Sequence, residues 1–242
     1  MGGTVKTFVI HLERATARRA QVAQLLDRAP FPADVLIAVD GSALSDWPVA
    51  RRFQPRYPFS LGPGEVGCFL SHRLAWQRML DEGLEAALIL EDDVALEDGF
   101  ADAARFAAEN AGNFGYIQFQ TRLLADPVSE VARRDELSIV RPRLTPLRTS
   151  AQLVHRDAAR RLLQVTETFD RPIDVLLQMH WETGVRLHVV QPSRVSDKTA
   201  ETGGSTISGK RRGIFEKIAR SFHRHRYRSA ISRLSRRNDA SS

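Results

Sequence analysis

The chain has 242 residues, 43% of them hydrophobic and 26% charged, which suits one folded domain with a sizeable core. Its single cysteine, Cys68, excludes an intrachain disulfide and a cysteine-rich zinc site and points to a reducing compartment, the cytoplasm. The net charge of +6 is unevenly placed: residues 209–242 hold eleven Lys and Arg against two acids, a net +9, and leave the first 208 residues at −3. That split sets a body, residues 1–208, apart from a basic tail, residues 209–242, and argues against nucleic acid as a partner of the body.

In chain order, "TVKTFVIHL" is rich in β-branched and aromatic residues and predicts a strand. "ATARRAQVAQLL" places Val22, Leu25 and Leu26 at helical spacing, and "VLIAVDG" predicts a second strand ending in Asp40 and Gly41. A strand, a helix and a strand in so short a span predict a βαβ unit and hence a parallel sheet. The N-terminal apolar run "TFVIHL" is too short for a signal peptide or a membrane span. Residues 42–62, with Pro48, Pro55 and Pro58, predict a loop. "LGPGEVGCFLSHRLAWQRML" then starts a helix, with Pro63 in its first turn and Glu65 complementing its dipole; Gly67 inside it predicts a close backbone approach. Glu65, Cys68 or Phe69, His72 and Trp76 share one face of that helix.

"AALIL", Ala86 to Leu90, has no alternation and predicts a strand covered on both faces. Further along come a helix in "DGFADAARFAAEN", a strand in "YIQFQ" and an irregular stretch over 124–146 containing a hairpin. A strand in "SAQLVH", a helix in "RDAARRLLQV", a helix in "IDVLLQMHWE" and a strand in "VRLHVVQP" complete the body. The fold class is α/β, a single twisted, mostly parallel sheet flanked by helices.

The buried strand runs directly into Glu91, Asp92 and Asp93. Ligands of open α/β sheets sit outside the carboxyl ends of the strands. Three adjacent carboxylates stay ionised there only if cations or hydrogen-bond donors compensate them, and hard oxygen ligands suit magnesium or manganese. The alternative is that one aspartate caps the following helix and the glutamate is solvated.

"GEVGCFLSHRLAW" and "LILEDDV", preceded by "VIHLERATARR" and "AVDG", resemble glycosyltransferase family 25, the lipooligosaccharide and collagen galactosyltransferase-like family, over about residues 5–207. The resemblance implies a GT-A-type nucleotide-diphospho-sugar transferase fold, inversion at the sugar, and a divalent cation, Mn2+ or Mg2+, at Glu91, Asp92 and Asp93. It assigns donor binding to Leu12, Arg14, Arg18, Asp40, Glu65 and Ser71, and places Ser71 and His72 in the wall of the active site. Independently, arginine forks and helix amides after a first strand favour a diphosphate, while a solvated helix face is the competing reading. His11 stands where the family usually has asparagine, and Ser150 and Gln152 stand where it commonly has a glycine and an aromatic residue. "GGSTI", Gly203 to Ile207, agrees with the family's end pattern and reads as a hinge-like loop closing over the donor.

An inverting transfer needs a base for the acceptor hydroxyl, and Asp174 in "RPIDVLL" matches an acidic position of the family; it also suits a helix N-cap. In the tail, Ile214, Phe215, Ile218 and Phe222 share one helical face, and Tyr227, Ile231 and Leu234 a second, rotated one. The tail therefore predicts a basic amphipathic helix on an anionic membrane surface, with a solvated tail or a nucleic-acid arm as alternatives. Together these imply a cytoplasmic enzyme, peripheral on the inner face of the membrane. It would move galactose or glucose from a UDP-sugar to a lipopolysaccharide or lipooligosaccharide acceptor. A metal-dependent phosphoester hydrolase and a catalytically inactive nucleotide-sugar-binding module are the competing functions.

Overall fold

The computed structural model describes residues 4–49, 52–122, 124, 128–201 and 214–239. Strand β1 (Val5–His11) leads through a 3-10 turn (Thr16–Arg18) and helix α1 (Arg19–Arg28) to β2 (Ala33–Ile37). A second 3-10 turn (Gly41–Ala43) precedes the long helix α2 (Pro63–Asp81), which returns the chain to β3 (Ala86–Glu91). Both β2 and β3 pair parallel with β1, on opposite sides of it. The chain therefore reverses its direction of travel across the sheet at β1, and the crevice outside the carboxyl ends of these three strands is the natural ligand site.

Next come β4 (Val94–Leu96), α3 (Phe100–Glu109), α4 (Ala111–Phe114), β5 (Tyr116–Gln118), the hairpin β6 (Val128–Arg134) and β7 (Leu137–Pro142), and β8 (Ala151–His155). Then follow α5 (Arg156–Val165), α6 (Ile173–Leu177), α7 (His180–Thr183), β9 (Leu187–Gln191), β10 (Val195–Asp197) and α8 (Ile214–Asp239). The eight-stranded sheet has the order β2-β1-β3-β8-β5-β9-β7-β6. Six of its strands point one way and only β7 and β8 oppose them, so the expected α/β architecture with a mostly parallel sheet is present.

The lack of alternation in β3 has the expected cause. Ala87 and Ile89 enter one core with Val66, Phe69, Trp76 and Met79 of α2, while Ala86, Leu88 and Leu90 enter the other with Val22 and Leu25 of α1 and Phe100 and Phe106 of α3. Each large side chain so buried contributes about 1.5–3 kcal/mol. Helix α2 starts where its sequence dictates: Pro63 occupies the first turn and the Glu65 carboxylate accepts the Gly62 N–H at 2.7 Å.

Three expectations are corrected. "IDVLLQMHWE" is not one helix but two short ones, because Gln178 is drawn away to the Thr145 carbonyl at 2.6 Å and Met179 leaves helical geometry. Neither aspartate caps the following helix, whose N-cap is Gly99; the residues after the carboxylates form β4, which pairs antiparallel with β10 in a two-stranded ribbon. The tail is helical, but its second half is no free appendage: Tyr227 and Ile231 are buried in the core with Phe53, Phe169 and Met179. The "GGSTI" loop lies outside the described residues, as do the side chains of Ile214, Phe215 and Ile218.

Candidate active site

The carboxyl ends of β1, β2 and β3 and the N-terminal half of α2 enclose a cleft lined by Leu12, Arg14, Arg18, Asp40, Ser71, His72, Glu91, Asp92 and Asp93. Two glycines bring the walls together. A Cβ on Gly67 would lie 2.6 Å from the Val39 carbonyl oxygen, and one on Gly41 would lie 1.8 Å from that of Pro63. The gap is closed by Ser71, whose hydroxyl accepts the Val39 N–H at 2.9 Å and donates to the Gly67 carbonyl at 2.7 Å. Ser71 thus ties α2 to the end of β2. Asp40 accepts Arg14 Nε at 2.6 Å and Nη2 at 3.3 Å, and is held by the Ser42 amide and hydroxyl. The Arg14 fork, then Ser42, keep the Asp40 carboxyl well below the usual carboxylate range.

The three adjacent carboxylates diverge. Asp92 is buried and turned to β1, where one oxygen pairs with Arg18 and the other with His11 Nδ1 at 2.7 Å. Glu91 turns to α2: its Oε1 meets His72 Nε2 at 3.0 Å and accepts the Thr149 hydroxyl at 2.8 Å. His72 Nδ1 in turn meets the Gln152 side-chain amide at 3.0 Å, which leaves Nε2–H to donate to Glu91. Burial would raise the Glu91 carboxyl, but the His72 and Thr149 hydrogen bonds with the Arg18 charge outweigh it and hold it low. Asp93 accepts the Thr199 hydroxyl at 3.2 Å and lies 3.5 Å from Arg18. Burial and the neighbouring charge of Glu91 push its carboxyl up to about 6 against the pull of Arg18.

Asp92 is therefore committed to His11 and Arg18, while Glu91 and Asp93 turn to other partners. Among the described residues, the only group of three ligating side chains close enough to share an ion is Cys68, His72 and Glu91. That set suits a hydrogen-bonded cluster rather than a cation, since burial and the nearby acids push the Cys68 thiol far up and both His72 nitrogens are engaged. It also provides no second cluster of the kind a two-metal phosphoesterase needs. Asp93 is a half-buried carboxyl 3.5 Å from Arg18 that borders open space with Glu91 beside it, and oxygen ligands of this kind would suit a hard divalent cation.

A second cavity, of about 280 Å³, opens beyond Glu91 and Asp93 and is lined also by Glu65, Cys68, Arg148, Thr149, Asp174, Asp197 and Thr199. Asp174 is not an N-cap; Pro172 holds that place. Its carboxylate accepts the Val175 N–H at 2.8 Å and the Arg148 N–H at 3.1 Å, and burial raises its pKa against those two bonds. Arg148 can offer that N–H because its φ is +86°, a conformation costly for a residue with a side chain, while its guanidinium pairs with Asp197 at 2.5 Å.

All the expected residues thus fall around two joined cavities. Thr149, Thr199, Arg148 and Asp197 carry no local pattern that would single them out. Gln152 and His11 stand out in the sequence only as departures from the family pattern.

Residues 4–177 match the sequence family Glycosyltransferase family 25 (LPS biosynthesis protein). The chain belongs to glycosyltransferase family 25. It is 36% identical over 129 residues to a glycosyltransferase 25 family member of Anopheles gambiae, covering 47% of this chain and 22% of that protein. It is 36% identical over 106 residues to procollagen galactosyltransferase 2 of Mus musculus (40% and 17% covered) and 39% identical over 106 residues to the probable inactive glycosyltransferase 25 family member 3 of Rattus norvegicus (40% and 18%). The matches span about a fifth of the length of these relatives. Among solved structures, mannose-1-phosphate geranyltransferase from Thermus thermophilus aligns with TM-score 0.40 and 13% identity, over 78% of this chain and 74% of that one. A likeness of that size adds nothing to the reading of the site.

Proposed function

We propose that this family 25 member transfers a hexose, galactose or glucose, from a UDP-sugar to a saccharide hydroxyl with inversion, the acceptor belonging to a lipopolysaccharide or lipooligosaccharide. The observation that carries this reading is the junction of the two cavities at Glu91 and Asp93, with Asp174 on the far side. A nucleotide sugar laid in the cleft puts its nucleoside by Asp40 and Arg14 and its diphosphate by Arg18, leaving the sugar at the junction. An acceptor entering the second cavity then meets Asp174, whose two carboxylate oxygens are each held by one main-chain donor and keep a lone pair to take the proton of the attacking hydroxyl. A divalent cation at Asp93 and Glu91 would supply Lewis-acid stabilisation of the departing diphosphate. The galactosyltransferase name of the murine relative supports galactose as the first donor to try.

The experiment is calorimetric titration of UDP-galactose and UDP-glucose with manganese, magnesium or chelator, on the wild type and Asp93→Ala, followed by turnover with oligosaccharide acceptors. Metal-dependent binding lost in Asp93→Ala is expected. Absence of donor binding in every condition would sink the reading, and binding without turnover would favour a non-catalytic nucleotide-sugar module.

For localisation, we propose peripheral attachment at the inner face of the cytoplasmic membrane. Among the described residues no helix is long and apolar enough to cross a bilayer. The outward side of α8 carries exposed Arg226 and Arg233 with Phe222, and Arg224 is exposed nearer the start of the helix. Cations so placed are attracted to anionic lipid at about 1 kcal/mol each. Replacing Arg224, Arg226 and Arg233 by glutamate should release the protein from phosphatidylglycerol vesicles; undiminished sedimentation with them would refute attachment by this face.

A further inference from the structure

Beyond Asp174 lies a third cavity, of about 600 Å³, whose wall includes Arg122, Thr145, Arg148, Asp174 and Arg228. Arg148 and Asp174 line both this groove and the cavity holding Glu91 and Asp93, so the two adjoin at the candidate base. Its electrostatics are one-sided. Asp174 is the only acid among the described lining residues, and two main-chain amides already occupy it. Arg148 is neutralised by Asp197, but Arg122 and Arg228 have no ion pair among the described residues. In addition, Thr145 is 2% exposed and its hydroxyl has no hydrogen-bond partner among the described residues. A buried hydroxyl without a partner is costly unless a ligand completes it.

Arg228 is brought here by the docked half of α8. The Tyr227 hydroxyl accepts Arg171 Nη1 at 2.8 Å and its ring meets Tyr57 edge-on at 5.4 Å, which fixes the helix beside the groove. Unpaired guanidinium groups on a concave wall focus positive potential, and their planar forks match carboxylate and phosphate oxygens. No aromatic ring among the described lining residues offers an apolar face to a neutral pyranose.

We propose that this groove is the acceptor subsite and that it takes a saccharide bearing a carboxylate or phosphate group, which Arg122 and Arg228 hold while Thr145 bonds a sugar hydroxyl. The proposal rests on the glycosyl-transfer reading and names its acceptor class. A lipid headgroup in a flat bilayer suits it less, because Asp174 lies at the inner wall of a recess.

The test titrates glucose 6-phosphate, glucuronic acid and glucose into the full chain and into Arg122→Ser and Arg228→Ser, with UDP-galactose and UDP-glucose titrated separately. Both charged sugars should bind about tenfold or more tightly than glucose, and each substitution should weaken them about tenfold, as expected for one charge-assisted contact. If neither UDP-galactose nor UDP-glucose binds the wild type with manganese, magnesium or chelator, the glycosyl-transfer reading fails. If either donor binds, three results each overturn this proposal alone: neither charged sugar binding, glucose binding as well as they do, or no effect of the arginine substitutions. Loss of phosphatidylglycerol-vesicle binding by Arg228→Ser with both charged sugars bound as before would assign that arginine to the membrane and likewise overturn it.

Discussion

Adjacent carboxylates at one strand end are tolerated because each has a different partner. Asp92 sits between Arg18 and His11 with a side chain only 8% exposed, so Arg18 and Asp92 form a buried pair. Arg18→Met should lower stability by about 3–5 kcal/mol, the usual consequence of stranding one member of a buried pair. Arg18→Met combined with Asp92→Asn should recover part of it, and equal chemical-denaturation midpoints for single and double variants would contradict the pairing. Asp174 gives the second prediction. Asp174→Asn should reduce kcat by about 10²–10⁴ while donor affinity stays, the range for loss of general base catalysis. Since burial raises the Asp174 pKa and the base acts ionised, kcat/KM should fall, as pH drops, above the range of a free aspartate. A pH–rate profile with its acid limb unmoved in Asp174→Asn would reject the role.

At the scale of elements, the site depends on how closely α2 approaches the end of β2. Gly67→Ala places a methyl group against the Val39 carbonyl and the Gly41 amide, main-chain atoms that cannot swing aside. It should cost about 1–3 kcal/mol, as overpacking does, and weaken UDP-sugar binding because the Asp40 wall is pushed outward. Gly112→Ala, with nothing within 4 Å of the new Cβ, is the control and should leave both melting and binding unchanged. Equal behaviour of the two variants would show that the contact does not shape the cleft.

The same elements show what the sequence discloses. The positions of α2 and β3 are legible because the apolar period of one and the unbroken apolar run of the other reflect burial directly, and Gly67 reveals the close approach. The β4–β10 ribbon joins residues about a hundred positions apart through strands of three residues, too short for a period. The break after Leu177 follows from a bond between Gln178 and Thr145, which no local pattern encodes. In the site, Glu91 and Asp174 are legible as acids at element ends. The partners that divide the labour among the carboxylates, Thr149, Thr199 and Gln152, become visible only when distant segments meet.

Over the whole molecule, the C-terminal helix closes the fold. Arg171 is wholly buried and is held by Asp170 at 2.7 and 3.1 Å, the Phe53 carbonyl at 3.2 Å and the Tyr227 hydroxyl. Near the other end of that helix, Asp239 pairs with Arg186, which also lies 2.8 Å from His180 Nε2. Burial and Arg186 hold His180 down to about 4 although Asp239 opposes them, and burial with Arg186 and Arg141 holds His188 down to about 4. Both histidines are thus neutral when folded and charge more readily when unfolded, where the ordinary value is about 6.5. The unfolded chain then binds more protons between about pH 6.5 and 4, so their contribution is whole above about pH 6.5 and is lost as pH falls toward 4. For His188, 8% exposed, the loss is at most about 3 kcal/mol. Urea unfolding of the wild type and His188→Gln at about pH 7 and about pH 4.5 isolates this contribution from the carboxylates that titrate in the same window. The wild type should lose more stability than the variant between the two pH values. Equal losses would show that His188 takes up its proton without cost in the folded protein, and the charge of Arg186 would then not bear on it.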